Sequence, residues 1–398
     1  MTAVDLLTAF SGEDASRFQP FFEFTEACRI IGVEIHAVGT DSTTLRYSGQ
    51  EEPFFEVNNI LRITTADGYE GVSGVDTFHE TGFSDDLLME LQGVTPDFVA
   101  LQSLDPFEVG TKIERIRPGM SDAARSSIDI ALWDLAARRA GLPLSDMLGA
   151  KRSSIDVYAS LPFYDSVSEH VDAVHENAKS GISTFKFHVW GSIEEDMRLV
   201  EAIRQTFAHS GFRFMLDLEG KYDLNDALRL GKRLNEDLFA RLEAPIADEH
   251  LAQYGELRAQ LAIPVIPDGC RFYSPEFIRQ GIAAGAWDAG RFDTTGVGGI
   301  SKTLELLIIA NKAGLPMELQ SWGHSLAQAA NLHVALANER TRYFEAPTPA
   351  SAFKFGMQNG IPLEGGAAAA PDGPGLGIRV AWERLGSADF YEYSKPEI

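Results

Sequence analysis

The chain has 398 residues, 44% of them hydrophobic and 23% charged, an ordinary globular composition and enough length for two domains or a barrel with a companion. Its 34 basic and 58 acidic residues give a formal net charge of -24, which disfavours nucleic acid and anionic membranes as partners and means that an anionic substrate needs a local cation or metal. Cys28 and Cys270 alone argue against a disulfide framework and fit a reducing cytoplasm; neither a signal peptide nor a membrane-spanning run is expected.

The first segments, "CRIIGVEIHAVGT" and "FEVNNILRITTADGYEGVSGV", read as strands with "TADGYEG" as a hairpin turn. The stretch "DAARSSIDIALWDLAARRAGLPLSDMLG" follows, with Ala131, Leu132, Leu135 and Ala136 at helical spacing and a stop at Gly141 and Pro143. Strands followed by helices predict an α+β domain over 1–150. From about 154 the pattern changes to short β-prone runs alternating with helical text. The runs are "IDVYASL", "TFKFHVW", "RFMLDLE", "FARLEAP", "IPVIPDG", "AGRFDTT", "LPMELQSW" and "RYFEAP". Eight strands alternating with helices predict a (β/α)8 barrel of the α/β class over 151–364. The irregular tail, 365–398, is expected to return to the N-terminal domain.

The C-terminal ends of barrel strands form the functional face of this architecture. Strand two carries Lys186 and His188, which share one face while Phe185 and Phe187 share the other. The next four strands end in Asp217, Glu243, Asp268 and Asp293, at intervals of 26, 25 and 25 residues. Strands seven and eight bring His324 in "SWGHS" and Glu345 in "YFEAP". Asp217, Glu243 and Asp268 converging in a confined mouth would repel one another without a cation, and oxygen ligands suit Mg²⁺ or Mn²⁺. Asp293 beside His324 would fix the imidazole tautomer and make a proton-transfer dyad; the alternative for Asp293 is a cap on the following "TGVGGISK" turn. His333 reads as packing.

Together these motifs resemble the enolase superfamily, in its mandelate racemase-like branch, from about 29 to 365. "LRITTADGYEG" is similar to the capping-domain hairpin and "FDTTGVGGISKTLELLIIANKAGLP" to the segment from strand six to helix six. The resemblance implies Mg²⁺ at Asp217, Glu243 and Asp268, and an Asp293–His324 dyad facing the strand-two lysine motif. It implies that Glu345 hydrogen-bonds a substrate carboxylate oxygen, and that cap loops 34–50 and 72–85 close over the mouth, with His36, Arg46 and His79 as candidates for substrate contact. Three positions depart from the family pattern: His188 replaces a second lysine, Glu219 stands where many relatives have asparagine with Lys221 placed to pair with it, and "DGC" follows the third ligand. The expected activity is a cytoplasmic, homo-oligomeric, Mg²⁺-dependent acid-sugar dehydratase acting on a small carboxylate. A racemase or epimerase of a 2-hydroxy acid, using His188 and His324 as two bases, is the alternative. A non-catalytic metal- or carboxylate-binding paralogue is the reading from another class.

Overall fold

A computed structural model describes residues 1–40, 55–79, 86–269, 274–385 and 389–394. Arg46, Cys270, the segments 41–50 and 80–85 of the expected lid loops and the side chain of His79 lie outside the described residues.

The chain begins with α1 (Ala3–Ser11), started by a reciprocal Thr2–Asp5 capping box, and the short α2 (Gln19–Phe22). An antiparallel meander follows: β1 (Ile30–Thr40), β2 (Phe55–Thr65) and β3 (Glu70–His79). One face of this sheet, including Val33, Ile35, Leu61 and Ile63, packs on α3 (Asp86–Ala100), α4 (Pro106–Ile116) and α5 (Asp122–Ala140) to make the cap's own core. Helix α5 is buried almost all round, from Ser126 to Ala137, because it is enclosed between cap and barrel. Its polar residues tie the two together. Trp133 Nε1 donates to Ser301 Oγ at 3.0 Å, and Asp134 accepts from Val72 N at 2.8 Å and Leu376 N at 2.6 Å.

After the short α6 (Leu144–Met147) come eight parallel strands with seven intervening helices. The strands are β4 (Ser154–Ser160), β5 (Thr184–His188), β6 (Arg213–Asp217), β7 (Phe239–Glu243), β8 (Val265–Ile266), β9 (Gly290–Phe292), β10 (Met317–Leu319) and β11 (Phe344–Pro347). The helices are α7 (Val167–Ala178), α8 (Ile193–Phe207), α9 (Leu224–Gly231), α10 (Leu251–Gln260), α11 (Pro275–Ala284), α12 (Ile300–Ala313) and α13 (Ser325–Ala337). Ser166, Asp223 and Ser274 cap the starts of α7, α9 and α11. Strand β5 is buried on both faces, as a parallel strand between barrel lumen and outer helices must be; Phe185 and Phe187 stack on Phe214 at 5.9 and 5.6 Å.

Among the described residues the strand order is β8-β7-β6-β5-β4-β11-β10-β9, a (β/α)8 barrel with a seam between β8 and β9. The run "IPVIPDG" contributes only two ladder residues, because Pro264 and Pro267 on either side have no N–H to give. Asp288 bridges the seam: its N–H donates to Val265 O at 3.0 Å and its carboxylate accepts from Val265 N at 2.9 Å. In the tail, β12 (Leu363–Glu364) and β13 (Ala367–Ala369) form a hairpin whose second strand lies antiparallel on β4. The last described strand, β14 (Asp389–Ser394), pairs antiparallel with β1 of the cap. Among the described residues no helix is long and apolar enough to cross a membrane.

Candidate active site

Strand alternation aims Lys186, Asp217, Glu243, Arg291 and Glu345 into the barrel mouth, all of them buried. Lys186 Nζ lies 3.0 Å from Asp217 Oδ2, 2.7 Å from Glu243 Oε1 and 2.9 Å from Glu345 Oε1. Burial opposes its charge, but Glu243, Glu345 and Asp217 outweigh that cost and hold the ammonium well above its usual range. Glu345 answers in kind: despite burial, Lys186 and Arg291 keep its carboxyl well below the usual carboxylate range.

Arg291 was not singled out from the sequence, yet it organises half of the cluster. Its guanidinium lies 3.1 Å from Glu243 Oε1, 2.9 Å from Glu345 Oε2 and 3.9 Å from Asp268 Oδ1, and it donates to the Asp268 carbonyl across the β8–β9 seam. A signal was present: in "RFD", Arg291 shares a face with Asp293. Arg241, two residues before Glu243, approaches Glu243 Oε2 at 3.4 Å and Glu318 at 3.6 Å.

His188 lies beside Lys186 on the lumen face. Its Nδ1 is 2.8 Å from the Leu161 carbonyl, which can only accept, so Nδ1 carries the hydrogen. Nε2 is directed toward Asp217 Oδ2, 3.6 Å away. Burial and then the Lys186 charge push the imidazole down to about 3, so it is neutral near pH 7. Glu219 follows Asp217 in a left-handed conformation, φ 50°, and its N–H donates to Asp217 Oδ1 at 3.0 Å. Ala244 after Glu243 has φ 45°; two such non-glycine residues at neighbouring strand ends mark a constrained mouth. Glu219 pairs with Lys221 at 2.8 Å, and burial with the Asp217 charge pushes its carboxyl up to about 7. Asp268 is half-buried; Asp248 holds its loop by accepting from Asp268 N and Gly269 N, each at 3.0 Å.

The expected metal set is therefore gathered only in part. Asp217, Glu243 and Asp268 end successive strands at one mouth, but Glu243 is already engaged by Lys186, Arg291 and Arg241, and among the described residues no three candidate ligands enclose a common point. The donor set nonetheless fits a divalent cation. Asp217, Glu243, Asp268 and Glu345 gather around Lys186 and Arg291 at one mouth. Carboxylate oxygens are the donors Mg²⁺ takes.

The expected Asp293–His324 dyad is corrected. His324 Nδ1 lies 2.6 Å from Asp76 Oδ1 on cap strand β3, and His324 N donates to Asp76 Oδ2 at 2.8 Å. Asp293 instead closes its own turn: Oδ1 accepts from Thr295 N at 2.7 Å, Thr295 Oγ1 at 2.9 Å and Asn331 Nδ2 at 2.8 Å. The capping alternative holds because a carboxylate two residues before a hydroxyl and an N–H forms a local ring before any distant imidazole can compete. His36 pairs with Glu34 at 3.5 Å and packs against Trp382, neither of which belongs to the cluster. His333 accepts from Ser145 N at 3.0 Å in the core.

Comparison with known proteins decides the family. Residues 169–384 match the enolase C-terminal domain-like family, and residues 56–149 match the N-terminal domain of mandelate racemase and muconate lactonizing enzyme. The chain belongs to the enolase superfamily. D-galactarolactone cycloisomerase of Agrobacterium fabrum is 30% identical over 67% of this chain and 74% of that protein. L-talarate/galactarate dehydratase of Salmonella typhimurium is 30% identical over 67% of this chain and 68% of its own length. A solved mandelate racemase/muconate lactonizing enzyme homologue from Pseudovibrio superposes with a TM-score of 0.88 at 30% identity, covering 93% of this chain and all of that one (100%). The superfamily relatives include dehydratases, cycloisomerases and racemases, so the comparisons support enolase-superfamily chemistry and not one substrate.

Proposed function

We propose that this superfamily member is a Mg²⁺-dependent dehydratase of an acid sugar. The observation that carries the reading is the buried Lys186–Glu345–Arg291 cluster beside the carboxylates Asp217, Glu243 and Asp268, which end successive strands at one mouth. Asp217 and Asp268, with Glu243 drawn from its cations, would hold the metal, which supplies a Lewis acid for the substrate carboxylate. Solved L-talarate/galactarate dehydratase is described with Mg and L-glucarate, in line with that cofactor.

The chain's own residues supply the rest. Lys186 places a fixed positive charge where negative charge builds on the carboxylate as the α-proton leaves. Glu345, ionised and held by two cations, accepts a hydrogen bond from a protonated substrate oxygen. His324, its ring orientation set through Nδ1, exchanges protons through Nε2. It removes the proton at C2 or returns one to the departing C3 hydroxyl, which leaves as water. The resulting enol becomes a 2-keto-3-deoxy acid. Glu219 and Lys221 line the same side as His188 and are placed to contact the substrate's polar chain.

One observation favours a second reading. His188 is neutral, its Nε2 aimed into the mouth three strands round from His324, which is the state a second base needs for racemisation or epimerisation. A screen of aldonic and aldaric acids with Mg²⁺ in D₂O, read by NMR, separates the two. Dehydration gives a 2-keto-3-deoxy product. Deuterium at C2 of recovered substrate without water loss promotes the racemase, and neither signal on any acid removes both readings.

A further inference from the structure

We infer that Asp76, a residue of the capping sheet, is the carboxylate that orients His324 for proton transfer, so that the barrel's base is set by the cap. This rests on the proposed role of His324. Asp76 engages residue 324 at two points, Oδ1 at 2.6 Å from the ring Nδ1 and Oδ2 accepting the main-chain N–H at 2.8 Å. An ionised carboxylate only accepts, so Nδ1 must carry the hydrogen and Nε2 is the nitrogen that takes and returns protons. The main-chain bond fixes the carboxylate's plane, and through it the angle of the ring. Both side chains are almost fully buried, at 1% and 5% exposure, so the pair is not loosened by solvent.

The backbone is built around this contact. A Cβ at Gly323 would lie 2.3 Å from Asp76 Oδ2, and Gly323 has φ 140°, so the glycine of "SWGHS" is what lets the cap carboxylate approach. Gly74, on the same face of β3 as Asp76, would bring a Cβ within 2.7 Å of the Leu326 Cβ, the same close docking one turn further along α13. Acids on the neighbouring strands have hydrogen-bond partners of their own. Asp293 feels the Asp76 charge, but its Oδ1 is taken by three donors, and Glu345 Oε2 accepts from Arg291 at 2.9 Å and from Ser321 N at 3.2 Å. Proton transfer therefore requires a docked cap: separating β3 from the β10–α13 loop removes the group that fixes the base.

The test uses the full chain labelled with ¹⁵N-histidine, with the His324 ring signals assigned by their loss in His324→Gln. We expect a far-downfield Nδ1–H proton in the wild-type protein that disappears in Asp76→Asn and persists in Asp293→Asn. Asp76→Asn keeps an oxygen for the main-chain N–H, so it retains the fold. On a substrate found by the acid-sugar screen, Asp76→Asn should lower kcat about 10²-fold or more and move the acid limb of the kcat/KM profile, with Mg²⁺ affinity within about twofold of wild type. Persistence of the Nδ1–H signal in Asp76→Asn, or its loss in Asp293→Asn alone, overturns the inference. The NMR result stands whether or not any acid sugar is turned over, so failure of the dehydratase reading is distinguishable from failure of this one.

Discussion

Arg291→Gln is the sharpest probe of how the barrel mouth is held together. The substitution removes a buried guanidinium from Glu243 at 3.1 Å, Glu345 at 2.9 Å and the Asp268 carbonyl, and with the last a contact across the β8–β9 seam. Removing one partner of a buried ion pair costs about 3–5 kcal/mol, because the charge left behind is desolvated and uncompensated. For a domain of this size that corresponds to a fall in Tm of roughly 6–20 °C. The sign of the pH dependence follows from Glu345. Its folded carboxyl is held well below the usual range, so its stabilisation is present above the ordinary carboxylate range and lost only as the pH falls through the depressed value. In Arg291→Gln one of the two cations responsible is gone. The deficit should be full near pH 7.5 and shrink toward pH 5, where the cluster can take up a proton in place of the missing charge. Calorimetry in EDTA at both pH values measures it, with Arg291→Lys, which keeps the charge but not the forked bonds, falling between. A Tm within about 2 °C of wild type at pH 7.5, or a deficit that grows on acidification, would refute the reasoning.

Asp217→Ala and Asp268→Ala should each abolish Mg²⁺ binding by titration calorimetry, and normal affinity in either removes that residue from the metal site. Gly323→Ala should lower stability by about 1–3 kcal/mol in denaturant titration, because a Cβ there lies 2.3 Å from Asp76 Oδ2, and wild-type stability would mean that the cap carboxylate is not so tightly placed. Burial pushes the Asp129 carboxyl up to about 7 against its bonds from Ser301, so between about pH 4 and 7 the folded chain keeps a proton that the unfolded chain has released, and stability falls as pH rises through that window. Asp129→Asn should flatten that slope by about one proton, and an unchanged slope would locate it elsewhere. His188→Asn should eliminate C2 exchange for one substrate enantiomer if the protein is a racemase, and should slow turnover without changing stereochemical preference if it is a dehydratase.

The barrel was legible in the sequence because its signal is local and repeated. Each strand is a short apolar run, each helix a periodic one, and the chemistry-bearing residues recur at strand ends with a 25-residue step that topology converts into a ring. Lys186, Asp217, Glu243 and Glu345 could be placed in one mouth for that reason, as could the shared face of Lys186 and His188. What the sequence did not determine is which partner each charge chooses. Arg291 alternates with Asp293 like any inward residue, but its hold on Glu345 lies 54 positions away. Asp76 meets His324 across 248 positions, in a strand whose local text shows only a half-buried sheet. Asp293 was the nearer candidate on adjacent strands, yet Thr295 and Asn331 claimed its carboxylate. Periodicity fixes the direction in which a side chain points, since that follows from backbone geometry alone. Pairing is decided by competition among buried polar groups for a limited number of donors and acceptors, and that competition exists only once cap and barrel are packed together.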